Sequence, residues 1–188
     1  ASRVEVWKNN TKAELAQQVA SFAGSFSNKR VRVVWPDVIT DGNGAVDNMF
    51  LCAALAGLRG GVYPHQVLTN VEIPGFSSVP RTTDFFGGAN LNTMAESGVW
   101  IVTQDTTGSI YTRHQLTTDM SAIDYREASL VSVVDSVSYY YLNFFESSRY
   151  IGRRNITPRL LSQLEADFDG ASNALIFETQ DTTIGQMI

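Results

Sequence analysis

Two histidines, His65 and His114, and one cysteine, Cys52, are the side chains best suited to nucleophilic, proton-transfer or metal chemistry. So few parts leave little room for a thiol–imidazole pair or a zinc site. His65 follows Pro64 in a loop and reads as a surface histidine. His114 stands beside Arg113 on an expected strand and reads as structural. Cys52 lies within Phe50-Leu51-Cys52-Ala53-Ala54-Leu55 and reads as a buried thiol. A lone cysteine cannot form an internal disulfide, which fits assembly in a reducing cytoplasm. Asp119 and Asp124 could pair for general acid–base work, but both fall at an expected helix start, where carboxylates cap free amides and meet the helix dipole. Asp41-Gly42-Asn43-Gly44 begins like a calcium loop, yet Ala45 breaks the series of oxygen ligands. Its two glycines are no dinucleotide fingerprint either, because Asp47 stands where a third Gly or Ala is needed, so a plain turn is expected. The chain has no G-x-S-x-G elbow and no P-loop. No catalytic, metal or cofactor site is expected.

Charge and aromatic patterning say more. Residues 149–159 hold four arginines, Arg149, Arg153, Arg154 and Arg159, and no acid. Residues 165–181 hold five acids, Glu165, Asp167, Asp169, Glu178 and Asp181, and no base. These are either two solvated faces or two complementary interface patches, since arginine pairs bidentately with carboxylates. The run Tyr139-Tyr140-Tyr141 with Phe144-Phe145 wraps most of a helix, because adjacent residues point about 100° apart. Either its own domain covers that helix on several sides, or one side meets another subunit. Tyrosine and arginine are both enriched at interfaces, and Tyr140 joins the four arginines as a candidate contact.

Several elements must position these residues. Thr11-x-x-Glu14 is a capping box ahead of Leu15, Val19, Phe22 and Phe26 on one helix face. Residues 31–35 read as a largely buried strand stopped by Pro36, 46–59 as a helix, 66–73 as a strand and 82–96 as a helix. Val99–Thr103 and Ser109–Thr112 flank the polar, Gly-ended connection 104–108, which signals a hairpin with a four- or five-residue loop and a second strand running to about residue 115. Residues 121–148 contain no Pro or Gly, and Leu130, Val134, Val137, Tyr141 and Phe144 form a helical stripe capped by Asp119 or Ser121. Asn155-Ile156-Thr157-Pro158 opens another helix with Leu160, Leu161, Leu164 and Phe168 on one face, and 173–179 reads as a last strand. The pattern predicts an α/β (α+β) fold: a mixed β-sheet with an antiparallel hairpin, flanked by helices that include one long helix near 121–148.

At 188 residues with 44% hydrophobic and 18% charged content, the chain can build a full core as one domain, or as one domain plus an appendage. Its net charge of −5 argues against general nucleic-acid binding. No apolar run approaches the roughly 20 residues of a membrane span.

The hairpin, together with the chain from Arg113 to Pro158, resembles the conserved region of bacteriophage contractile tail sheath proteins. The matching residues are Arg113, Leu116, Thr117, Thr118 and Asp119 of R-x-x-L-T-T-D, then Tyr150, Ile151, Gly152, Arg153, Asn155, Thr157 and Pro158 of Y-I-G-R-x-N-I-T-P. Upstream, Ala53–Leu58 with Gly61-Val62-Tyr63-Pro64 is similar to a further element of that family, shortened and with Tyr63 where Trp is usual. Leu91-Asn92 with Glu96-Ser97-Gly98-Val99 is similar to its lead-in to the hairpin. The likeness spans roughly 45–164. It implies a non-enzymatic virion subunit, assembled in the host bacterial cytoplasm, that forms stacked hexameric rings around an inner tube and drives contraction by rearrangement. Its partners would be copies of itself, the tail tube protein, and baseplate and tail terminator proteins, with no nucleic acid and no membrane. The family's tube-facing region points to Arg149, Arg153, Arg154 and Arg159 as tube or neighbour contacts. The chain reads as a single domain and a fragment of a longer protein, with 1–10 and 180–188 as arms or flexible ends. The alternatives are a baseplate or related contractile component, and an α/β hydrolase built on Asp41, Asp119 or His114.

Overall fold

A computed structural model describes residues 11–79, 88–148, 150 and 155–181. The expected arm at 1–10 lies outside them. The chain groups into two compact units, one of residues 1–62 and 66–131 and one of 63–65 and 132–188.

The first unit is organised around β4 (Val99–Gln104). This strand pairs in parallel with β1 (Val33–Trp35) and antiparallel with β5 (Ile110–Thr112), giving a mixed three-stranded sheet in the order β1-β4-β5. The expected hairpin is present, with Gln104 opposite Ile110. Alternation along β4 feeds two cores. Val99 and Ile101 join Trp35 and the buried faces of α1 (Lys12–Gly24) and α3 (Gly88–Glu96), including Val19, Ala23, Leu91 and Met94. Trp100 and Val102 join Leu51 and Leu55 of α2 (Asn48–Gly60), with Ile39, Leu68, Ile73 and Val79. A strand covered on both faces carries no polar alternation, as Val-Trp-Ile-Val shows. α1 begins at the expected capping box, in which Thr11 and Glu14 satisfy each other's backbone amides. Its packed face is the small one, Ala16, Val19, Ala20 and Ala23, while Phe26 is exposed.

Several sequence expectations are corrected. Of the helix expected at 46–59, residues 46 and 47 are strand: β2 (Val38–Asp41) and β3 (Gly44–Asp47) form an antiparallel hairpin around the expected Asp41–Gly44 turn. Residues 66–73 are not a regular strand. They lie along β5 through Asn70 N–H to Thr112 O (2.8 Å) and Ile73 N–H to Ile110 O (2.8 Å), but the left-handed Asn70 (φ 58°) breaks the ladder, leaving one bridge at Glu72. Of the helix expected at 82–96, the described part starts at Gly88. The long helix does not begin at 121. A short α4 (Ile123–Arg126) ends at extended Glu127, and α5 runs over Ala128–Ser147. Glu127 is held extended by a bridge to Leu116, flanked by Thr117 N–H to Arg126 O (2.8 Å) and Ala128 N–H to Gln115 O (2.9 Å). Tertiary pairing therefore overrides helix propensity. Asp119 and Ser121 do not cap a helix: Asp119 accepts from the Ser121 amide, and the residue before α4 is Ala122, without a side-chain cap.

The second unit carries the rest of α5 and α6 (Pro158–Asp181). Thr157 accepts from the Leu160 amide (3.2 Å) and Pro158 fills the first helical position, as the Thr-Pro pair predicts. Residues 173–179 are helix, not strand: they continue α6 without a breaking Pro or Gly after Gly170. The expected stripe on α5 is not a core stripe, since Leu130 and Val134 are exposed.

Candidate functional site

The R-x-x-L-T-T-D segment is a polar staple. Arg113 N–H donates to Ile101 O (2.9 Å), extending the sheet by one bond. Gln115, Thr117 and Thr118 are buried, and burial of polar groups demands partners. The Thr117 hydroxyl donates to Tyr125 O and accepts from the Asp119 amide (3.2 Å). The Thr118 hydroxyl donates to Asn28 O (2.9 Å) and accepts from the Asn28 amide (3.2 Å), while its own amide donates to Val31 O (3.0 Å). Three stretches, 28–31, 116–119 and 125–128, are thereby bound into one junction. Gly98 lies against it at φ +82°, and a Cβ there would stand 2.1 Å from Thr117 O. Two motifs that the sequence shows apart, the lead-in at Gly98 and the Thr-Thr pair, meet backbone to backbone.

Beside this junction lies an open depression of about 360 Å³ lined by Ser27, Glu96, Ser97, Thr118, Asp119 and Ser121 among others. Hydrogen bonds from the Ser121 hydroxyl (2.5 Å) and amide (3.1 Å), then the Lys29 charge, hold the Asp119 carboxyl below the usual aspartate range. A carboxylate kept ionised by its neighbours is a poor proton donor.

The remaining chemistry-bearing residues each have local roles. His114 is exposed, 3.3 Å from the Thr69 hydroxyl and 3.9 Å from Glu127. Asp41 accepts from the Asn43 (2.7 Å) and Gly44 (3.0 Å) amides and closes the β2–β3 turn. Asp124 is exposed in the first turn of α4. His65 is half-buried instead of a surface residue; it stacks on Tyr63, and its shielded Nδ1 has no partner among the described residues. Cys52 is not a buried thiol. It is exposed on α2, because the packed face of that helix is the one carrying Leu51 and Leu55, and its Sγ donates to Asn48 Oδ1 (2.8 Å). Partial desolvation and then Asp47 push the thiol pKa up, away from reactivity. Among the described residues no three His, Cys, Asp or Glu side chains gather as metal ligands, and no helix is long and apolar enough to cross a membrane.

In the second unit, Tyr140 is half-buried and its hydroxyl donates to Ala171 O (3.1 Å) on α6. Tyr141 stacks on Phe168 (4.7 Å between centroids) and bonds Ser172 (2.8 Å), whereas Tyr139 is 65% exposed. The aromatic run is thus divided between α6 and solvent. Arg159 is exposed in the first turn of α6. Arg149, Arg153 and Arg154 lie outside the described residues, as do Ile151 and Gly152 of the motif. Sequence reasoning passed over Arg32, which interrupts the apolar run Val31-x-Val33-Val34-Trp35, and Arg59 in the last turn of α2.

Over 87% of the chain, the structure superposes on the sheath tail protein of Desulfitobacterium hafniense with a TM-score of 0.59 at 14% identity. The fold is that of a sheath tail protein. A chain of the anti-feeding prophage (AFP) baseplate matches over 77% of this chain, with a TM-score of 0.56 and 12% identity. The sheath tail protein of Listeria innocua matches over 69% at 14% identity and a TM-score of 0.49. The chain spans 42%, 38% and 34% of those three proteins, less than half of each. No protein-family model and no curated protein matches the sequence.

Proposed function

We propose that this chain is a structural subunit of a contractile tail sheath, working without catalysis through contacts with copies of itself and with an inner tube protein. The observation that carries this reading is the shared fold, joined to the staple at Arg113–Asp119: the segment that resembles the sheath motif is spent on holding three backbone stretches together. The Thr117 and Thr118 hydroxyls are turned inward to backbone carbonyls and amides. In the assembled tail, hexameric rings would stack helically, and contraction would move subunits as rigid bodies between lattice states. Arg149, Arg153, Arg154, Arg159 and Tyr140 are the proposed tube or neighbour contacts; the exposure of Arg159 supports its place among them. The particle is the virion tail, assembled in the host bacterial cytoplasm.

The likeness to the AFP baseplate chain favours a second reading, a baseplate component of the same kind of machine. Electron microscopy of the full-length protein, alone and with its tube protein, separates the two. Long striated tubes are expected for a sheath and discrete rings for a baseplate part. Isolated small particles under every condition would refute both.

A further inference from the structure

Helices α1 and α3 both end at the open depression beside the junction, and their last residues, Gly24 and Glu96, line it. A helix C-terminus carries about half a negative charge on its last carbonyls. A base in the last turn complements that charge, as Arg59 does in α2, but neither α1 nor α3 has one there. Hydroxyls stand in. Ser25 Oγ donates to Phe22 O (2.7 Å), Ser27 Oγ to Gly24 O (3.0 Å) and Ser97 Oγ to Thr93 O (3.3 Å). They occupy carbonyls and bring no charge. Two carboxylates add to the negative field, exposed Glu96 and ionised Asp119. Lys29 tempers Asp119 from the side, with its ammonium over the Tyr125 ring (4.5 Å to the centroid).

The opposite arrangement stands at the start of α6. Its first turn has no acid and carries exposed Arg159, where the helix dipole disfavours a cation. Residues 149–159 hold four arginines and no acid. Arg159 and Glu96 thus each sit at the helix end that disfavours their charge, and each is the complement of the other's surroundings. We propose that the depression between the ends of α1 and α3 receives Arg159 of a second copy of this chain, its guanidinium meeting Glu96 and Asp119. The guanidinium fork suits carboxylates, and a depression of about 360 Å³ has room for a long side chain. Ile156, 83% exposed three residues before Arg159, would lose water in the same contact. The proposal rests on the self-assembly reading above and adds to it one head-to-tail contact, which repeats from copy to copy.

The test uses the full chain. Backbone NMR follows the Ser97, Gly98 and Ser121 amides from micromolar to millimolar protein, with sedimentation in parallel. These signals are expected to move as the chain associates. Association should weaken about tenfold in Glu96→Arg and in Arg159→Glu, and mixing the two variants should restore it. Each replacement supplies the sign that its own helix end favours, so neither should lower the melting midpoint in circular dichroism. A midpoint lowered in step with association would make both charges structural and overturn the contact. Association unchanged in both variants, or not restored by mixing, overturns the contact and leaves self-assembly standing. A chain that stays monomeric to millimolar, with fixed signals, overturns the contact together with self-association of this chain.

Discussion

Gly98→Ala adds one methyl group where no atom fits. Its Cβ would meet Thr117 O at 2.1 Å and Thr118 Cα at 2.9 Å, both backbone atoms that cannot swing aside. The positive φ adds strain of its own. We expect a loss of at least ~3 kcal/mol in urea unfolding, from overpacking and strain combined. Asp105 offers the contrasting case of a side chain that helps only while ionised. In the β4–β5 loop it accepts from the Thr107 hydroxyl (2.7 Å) and the Thr107 and Ser109 amides (2.9 Å each), which holds its pKa down. A lowered folded-state pKa stabilises above the unfolded value, near 3.9, and that stability is lost as pH falls through the folded value. Urea midpoints measured against pH should therefore fall in acid, and less steeply in Asp105→Asn. A slope unchanged in the variant would contradict this. At this scale the sequence was legible where neighbours in the chain bond to each other, as in the capping box and the Asp41 turn. It was silent on what Gly98 and Gln115 meet, because those neighbours lie far along the chain.

Strands β1 and β4, the β4–β5 hairpin and helices α1 and α6 could be read from periodicity and caps. Two of the misread elements share one physical cause. At 66–73 and at Glu127, a backbone pairing between distant segments decides the conformation, and local propensity yields to it. Residues 173–179 fail differently: Leu175-Ile176-Phe177 has strand composition, but the helix begun at Pro158 propagates through it. Pairing of α5 with α6 depends on Phe168, which stacks on Tyr141 and lies 6.3 Å from Phe145. Because Phe168 is 38% exposed, Phe168→Ala should cost about 2–3 kcal/mol, at or below the lower end for buried aromatics. The near-ultraviolet circular dichroism of the tyrosines should weaken with it; an unaltered spectrum would show that the stack contributes no order.

Across the whole molecule, the proposed sheath role assigns stability and assembly to different residues. The staple at Thr117 and Thr118 is buried and serves the fold. Exposed groups such as Arg159 and Tyr139 are left for neighbours. This separation suits a subunit that must keep its shape while its surroundings rearrange. It also explains why function was less legible than fold: contacts with other molecules leave only exposed charge and aromatic surface in a single chain. The central strand carries a further consequence. Val99-Trp100-Ile101-Val102-Thr103 is uncharged, β-prone and free of proline, the composition of an amyloid-forming segment. In the folded chain both its edges are paired and both its faces covered. During synthesis the strand emerges before β5 exists to cover one of those edges, so a nascent chain carries this aggregation-prone stretch unguarded until the hairpin closes.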